Sequence, residues 1–349
     1  MINYSTGKRN NLNKLDRNKR NVLLIGKGTK NEKAKIILNP IDATNAKNIY
    51  GNSQLYEAYK LAREITNDNN VYTVNCPLFT DFIEIIDSLV HYDFDFIVPL
   101  NIYLQDTFIN PITDEVTYFT SYYLERLGIT ENHTIMIMTD RPSYLYDDID
   151  LYIEATENTI TNFKNKNAEI VNKYGNNLVF VLNNLRNNVY SNVMLAASLA
   201  ACDFTEYPKN INMSTYFDID YSDLNLRDIC FYKYHEASAF SSMEQLLNFR
   251  VADDIYKKVL IDILIKYVTR HLDLSLSEFR GVLYTPYVKV QIDMRVEGVM
   301  NSLKKFAYKD YIIKSIVFRK TGIGVGNVLI DVSITPYSVL ETINIVLEV

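Results

Sequence analysis

The 349 residues include no tryptophan, three cysteines, eight prolines and eleven glycines. An odd, sparse set of thiols, Cys76, Cys202 and Cys230, makes no disulfide framework. Their neighbours are apolar or aromatic, the setting of buried free thiols rather than reactive ones. No uncharged apolar run reaches the ~18 residues that would mark a membrane span. The opening residues are polar and basic, with no apolar stretch of the kind a secretory signal needs. The expectation is a protein made and assembled in a reducing cytoplasm, without a membrane partner.

What is present begins with size. This length accommodates two or three cores. Apolar residues make up 48% and charged residues 22%, ordinary for a globular chain. Tyrosine (27) and phenylalanine (16) are abundant. Aromatics favour interfaces, but an A/T-rich genome is the better account of them, since Asn, Ile and Lys are abundant too. Charge is uneven. Residues 1–35 hold ten Lys or Arg against Asp16 and Glu32, a basic head on a body acidic enough to leave the whole chain at −6. Such a head binds nucleic acid, lipid or an acidic neighbour, including a second copy. The acidic body shows no long basic stripe, which disfavours nucleic acid.

The pattern divides the chain. Residues 1–21 read as a flexible basic N-terminal arm, with Lys8, Arg9, Lys14, Arg17, Lys19 and Arg20 as its candidate assembly contacts. Residues 22–203 switch regularly between short apolar strands and helices. Strands are expected at 22–25, 71–74, 95–99, 134–139 and 178–182. Helices are expected at 55–65 (capped by Ser53), 79–90, 116–127, 147–173 and 189–201. Strands that are apolar throughout, without alternation, predict a mostly parallel α/β sheet covered on both faces. Residues 204–245 form a connecting region, with a turn or two of helix from Ser242.

Residues 246–349 predict an α+β unit. The strongest helical pattern runs from Asp253 to Arg270, with acids at its start and bases at its end. A short helix is expected at 277–283, an alternating strand at 288–294, a helix at 298–307, and strands at 312–319 and 325–334. In the last of these Val328, Ile330, Val332 and Ile334 face one way. The final run, about 340–349, alternates Ile343, Ile345, Leu347 and Val349 against more polar partners. It is the candidate C-terminal assembly arm. Such a strand must be hidden, either in its own sheet or by extending a neighbour's.

Motifs for chemistry are thin. Gly26-Lys27-Gly28 follows a strand, but the third glycine of a dinucleotide fingerprint is replaced by Asn31, and no Lys-Ser/Thr of a phosphate loop follows. His91, His133, His235 and His271 have no metal-ligand spacing. Asp147, Asp148 and Asp150, and Asp218, Asp220 and Asp223, lack the glycine turn of a calcium loop and read as solvated turns. No G-x-S-x-G is present, and Ser198 lies in an Ala-rich helical run. The run Gly322-Ile323-Gly324-Val325-Gly326 joins two strands and reads as a tight or mobile connection. No catalytic residue, cofactor or metal is expected. An enzyme reading would place its pocket near Gly26, Cys76 and Pro99.

Three stretches carry a resemblance. They are Val22–Gly28 with Ile49–Ala58; Phe94–Pro99 with the small-residue helix near Tyr190–Asp203; and Leu247–Arg250, the glycine turn, the strand to Ile334, Pro336 and Glu341–Ile345. In their order along the chain they resemble phage tail-sheath proteins, the sleeves of contractile tails and R-type bacteriocins. The resemblance implies a non-enzymatic virion subunit, stacked as hexameric rings around a tail tube and contracting to drive genome ejection. Terminal arms would complete sheets in adjacent copies. Partners would be the tube protein, the baseplate and the tail terminator or neck. The Pro-Gly turn of longer family arms and the tryptophan passage before the C-terminal domain are absent. A non-contractile collar, neck or tail-end ring is therefore the alternative within this class, and a small-molecule-binding α/β enzyme the alternative outside it.

Overall fold

The computed structural model describes residues 20–29, 43–66, 70–78, 81–89, 92–110, 113–128, 134–139, 141, 149–174, 177–181, 191–201, 233–235, 240–242, 259–304, 307–322 and 325–336. The chain divides into two compact units, one holding residues 20–201 and the other residues 260–336.

The first unit is built on five parallel strands: β1 (Val22–Gly26), β2 (Val71–Asn75), β3 (Phe96–Pro99), β6 (Ile135–Thr139) and β7 (Leu178–Val181). Their spatial order is β2-β1-β3-β6-β7, every pairing parallel. This is a doubly wound order, reversing direction at β1 and β3. The helices are α1 (Ala43–Tyr50), α2 (Gln54–Thr66), α3 (Asp81–Leu89), α4 (Phe119–Gly128), α5 (Ile149–Lys166), α6 (Ala168–Tyr174) and α7 (Ser191–Ala201). On one face Leu23, Ile25, Val74, Ile97, Met136 and Phe180 share a core with Phe82, Ile86, Tyr123 and Phe163 of α3, α4 and α5. On the other, α2 and α7 pack together against the strands. Both faces are thus covered, which is why the strands are apolar at most positions, with Thr73 and Thr139 among the buried exceptions. Helix α7 is buried from Ser191 to Leu199, and its sequence is accordingly small and apolar all round.

Sequence and structure differ at residues 116–118. These form β5 (Val116–Tyr118), paired antiparallel with β4 (Thr107–Ile109), and the helix expected from Val116 starts at Phe119. A three-residue strand leaves too short a period to separate from helical spacing. Phe108 anchors this hairpin, its ring centroid 4.6 Å from that of Phe119 and 5.5 Å from that of Tyr122. A further short antiparallel pair joins β8 (Lys233–His235) and β9 (Phe240–Ser242), so Ser242 ends a strand where a helical start was expected.

The second unit contains α8 (Val259–Leu276), a 3-10 turn (Ser277–Phe279), α9 (Pro286–Lys304), β10 (Asp310–Gly322) and β11 (Val325–Thr335). The strand expected at 288–294 is wrong: these residues lie inside α9. Val288, Ile292, Val296, Met300 and Leu303 form its buried stripe at helical spacing. Val290 and Met294, which completed the apparent alternation, are 54% and 68% exposed. Two apolar faces on one helix had imitated a period of two. The hairpin lays Tyr311, Ile313, Ile316, Val328, Ile330, Val332 and Ile334 against the cluster formed by α8 and α9. The fold class is therefore a mostly parallel α/β sheet followed by an α+β unit, as the pattern of elements implies.

Candidate functional site

In a doubly wound sheet a ligand sits in the crevice where the strand order reverses, outside the carboxyl ends of the strands. Here that place lies after β1 and β3, where an enzyme pocket was to be sought. Among the described residues the strand ends there pack closely on one another. A Cβ on Gly26 would stand 2.7 Å from Cδ1 of Leu100, a side chain that is 4% exposed. The Gly26 carbonyl accepts from the Cys76 N–H at 2.7 Å. The Gly28 N–H, the donor a phosphate would need, is given to Oδ1 of Asn75 at 2.8 Å. Thr29 donates both its N–H and its hydroxyl to the carbonyl of Tyr50, the last residue of α1, at 2.9 Å. Gly51 adopts φ +65°, and a Cβ there would strike the Thr29 hydroxyl. The glycines at 26, 28 and 51 leave room for the side chains of Leu100, Asn75 and Thr29 against the backbone.

The same region disposes of the candidate reactive groups. Cys76 follows β2 and is buried; its thiol donates to the Leu78 carbonyl at 3.2 Å. Burial, with Asp81 nearby, pushes the thiol up to about 12, so it is not a nucleophile at neutral pH. The Tyr50 hydroxyl, 2.6 Å from Oγ1 of Thr73, is likewise pushed up to about 12 by burial. His271 lies in α8 with Nδ1 3.0 Å from the Tyr267 carbonyl. No three His, Cys, Asp or Glu side chains gather as a metal site among the described residues.

Geometry suited to assembly is found in the second unit. β10 and β11 pair with each other over almost their whole length, from Asp310 with Thr335 to Gly322 with Val325. Among the described residues no third strand joins them. A lone hairpin is marginal in water. This one is held by its packing on α9, by Lys304 Nζ 2.8 Å from the Asp310 carboxylate, and by Tyr308, whose hydroxyl donates to the Met300 carbonyl. Its free end is clamped too: the Tyr284 and Phe318 rings stack with centroids 4.3 Å apart. Gly326 lies beneath, where a Cβ would meet Phe318 at 2.2 Å. The last glycine of the 322–326 run is a packing requirement rather than a flexible joint. On the face away from the helices Ile312 and Val317 are 66% and 47% exposed.

Nothing in the sequence matches a family model or a curated protein. Solved structures are similar in fold. A chain of the six-fold symmetrised anti-feeding prophage (AFP) baseplate matches with a TM-score of 0.64 at 9% identity, over 94% of this chain and 92% of that one. A chain of the same baseplate in its contracted state matches with a TM-score of 0.60, also at 9% identity, over 99% and 97%. The likeness runs through both units.

Of the residues expected to carry assembly, Lys8, Arg9, Lys14, Arg17 and Lys19, and Ile343, Ile345, Leu347 and Val349, lie outside the described residues. Arg20 is described, and it is 7% exposed, its guanidinium donating to the Leu199 carbonyl near the end of α7. Expected in the arm, Arg20 is built into the α/β unit, as is the neighbouring Asn21, whose N–H donates to Asp95 at 2.7 Å. Sequence reasoning missed the Tyr284–Phe318–Gly326 clamp, because no spacing rule links residues from a loop and two strands.

Proposed function

We propose that this chain is a structural subunit of a contractile, tail-like injection particle, of the sheath type, and not an enzyme. The observation that carries the reading is the fold likeness over both units to chains of a contractile particle's baseplate. The hairpin β10–β11 supports it from the physical side. Backbone edges of this kind accept extended segments by strand addition, in which main-chain hydrogen bonds supply affinity and side chains supply choice. The basic N-terminal segment and the alternating C-terminal segment, about 340–349, are the strands offered to neighbouring copies. Each hydrogen bond is worth about 1 kcal/mol net, so a row of them links subunits while leaving the rigid units free to reorient. In this reading copies stack as hexameric rings around a tube, between baseplate and neck or terminator proteins. They assemble in the host cytoplasm and remain in the particle.

The two similar chains both come from baseplates, which favours a second form of the reading: a short, non-contracting ring at a tail end or neck. Electron microscopy of the purified full chain, alone and with tail tubes, tests both. Long sleeves that shorten on activation support the sheath, single discs support the end ring, and dispersed monomers oppose both. Removal of residues 1–19 or 340–349 is expected to leave folded chains that no longer polymerise. Normal polymers from both truncations would refute strand exchange.

A further inference from the structure

We infer that the β4–β5 hairpin of one copy packs face to face on the outer side of the β10–β11 hairpin of a neighbouring copy, an acidic apolar knob on a basic apolar face. The inference rests on the reading that copies of this chain assemble. It goes beyond that reading by naming a side-chain contact in which no strand is exchanged.

The knob belongs to the first unit. Ile109 and Val116 pair directly across the β4–β5 ladder and are 67% and 71% exposed, while Phe108 holds the hairpin to its core. Asp114 and Glu115 stand exposed at the adjoining turn, and residues 101–118 contain no Lys, Arg or His. The face belongs to the second unit. Ile316, Phe318, Val328 and Ile330 turn towards the helices, and alternation leaves Val317 and Leu329, which pair directly across the ladder, on the other side. Lys314, at an irregularity in the ladder, and Arg319 are exposed on β10 to either side of Val317. Asp331, opposite Ser315, offsets one of these charges, and the exposed Lys309 and Lys320 add to the basic side.

Width and charge agree. Each hairpin offers one apolar cross-strand pair, and such pairs have a common width, about 5 Å between Cβ atoms. Laying Ile109 and Val116 on Val317 and Leu329, as two sheets pack about 10 Å apart, brings the acidic turn beside Lys314 or Arg319. The apolar pairs leave water, and opposite charges flank them. Charge also excludes the alternatives. Two acidic knobs repel each other, as do two basic faces, so the contact joins unlike patches and runs head to tail from copy to copy. Four apolar side chains bury far less than the ~1,200 Å² of a stable pair, so the contact gains its strength by repetition in an assembly.

The test uses the full chain. D114N/E115K reverses the knob while keeping a residue suited to the positive φ of 58° at position 114, and K314E/R319E reverses the face. Each is expected to raise the concentration at which polymer appears by roughly tenfold, as read by sedimentation velocity and negative-stain microscopy, with circular dichroism confirming the fold. The four changes in one chain should restore assembly. An equal mixture of the two variants should restore it too, because each then finds its complement only on the other. A contact within one chain would be restored by the combination but not by the mixture. Reversals without effect, or a mixture that stays dispersed, overturn the inference and leave assembly itself standing. D114N/E115Q and K314Q/R319Q should give smaller shifts in the same direction, and serve if a reversal disturbs folding. A parent chain that forms no oligomer overturns the assembly reading and this contact with it.

Discussion

Glycine-to-alanine substitution is expected to have opposite signs at two positions of the second unit. At Gly326 an added Cβ would lie 2.2 Å and 2.6 Å from ring atoms of Phe318, and 2.7 Å from the Arg319 carbonyl oxygen. The ring cannot simply swing aside, because it is stacked on Tyr284 at 4.3 Å and 10°. The carbonyl belongs to the strand backbone. Relief therefore requires both unstacking and a strand shift, and overpacking of this kind costs about 1–3 kcal/mol. At Gly298, in the middle of α9, a Cβ would meet nothing within 4 Å. Alanine there removes the entropic penalty of a helical glycine and stabilises by about 0.5–1 kcal/mol. Urea unfolding is the assay. With a slope of about 1–3 kcal/mol per molar, Gly326→Ala should lower the midpoint by roughly 1 M and Gly298→Ala should raise it by a few tenths. Tyr284→Ala in the Gly326→Ala background should cost less than alone, since the stack is already disturbed. A neutral or stabilising Gly326→Ala would refute the clamp.

At the end of β1, Gly26→Ala should destabilise by about 1–3 kcal/mol through its clash with Leu100, and much of that should be absent when Leu100→Ala is already present; a double-mutant cycle measures the coupling. The Cys76 thiol should resist thiol-directed reagents in the folded chain at pH 8 and react on unfolding, as followed by absorbance. Its folded value, about 12, lies above its ordinary value of 9.0, so the neutral thiol is the form that folding favours. That contribution is complete below the ordinary value and declines as pH rises towards the folded one, and Tyr50 acts in the same direction from 10.0 to about 12. Urea midpoints should therefore fall between pH 9 and 12, and less steeply in Cys76→Ser.

The α/β unit is legible in the pattern of residues alone. Strands buried on both faces must be apolar throughout, and helices between them must repeat at their own period. Val22–Gly26, Ile135–Thr139 and Ser191–Ala201 are legible for that reason. That pattern also determined the hairpin strands, since Val328, Ile330, Val332 and Ile334 alternate against a single packed face. Tertiary structure alone decided α9, whose exposed Val290 and Met294 fall between its buried positions and mimic a strand. It alone decided that Gly26 faces Leu100 and that Gly326 faces Phe318, contacts between residues distant in the chain or turned across a bend. Local periodicity reports which face of an element is buried. It carries no information about which distant side chain fills the space beside a glycine.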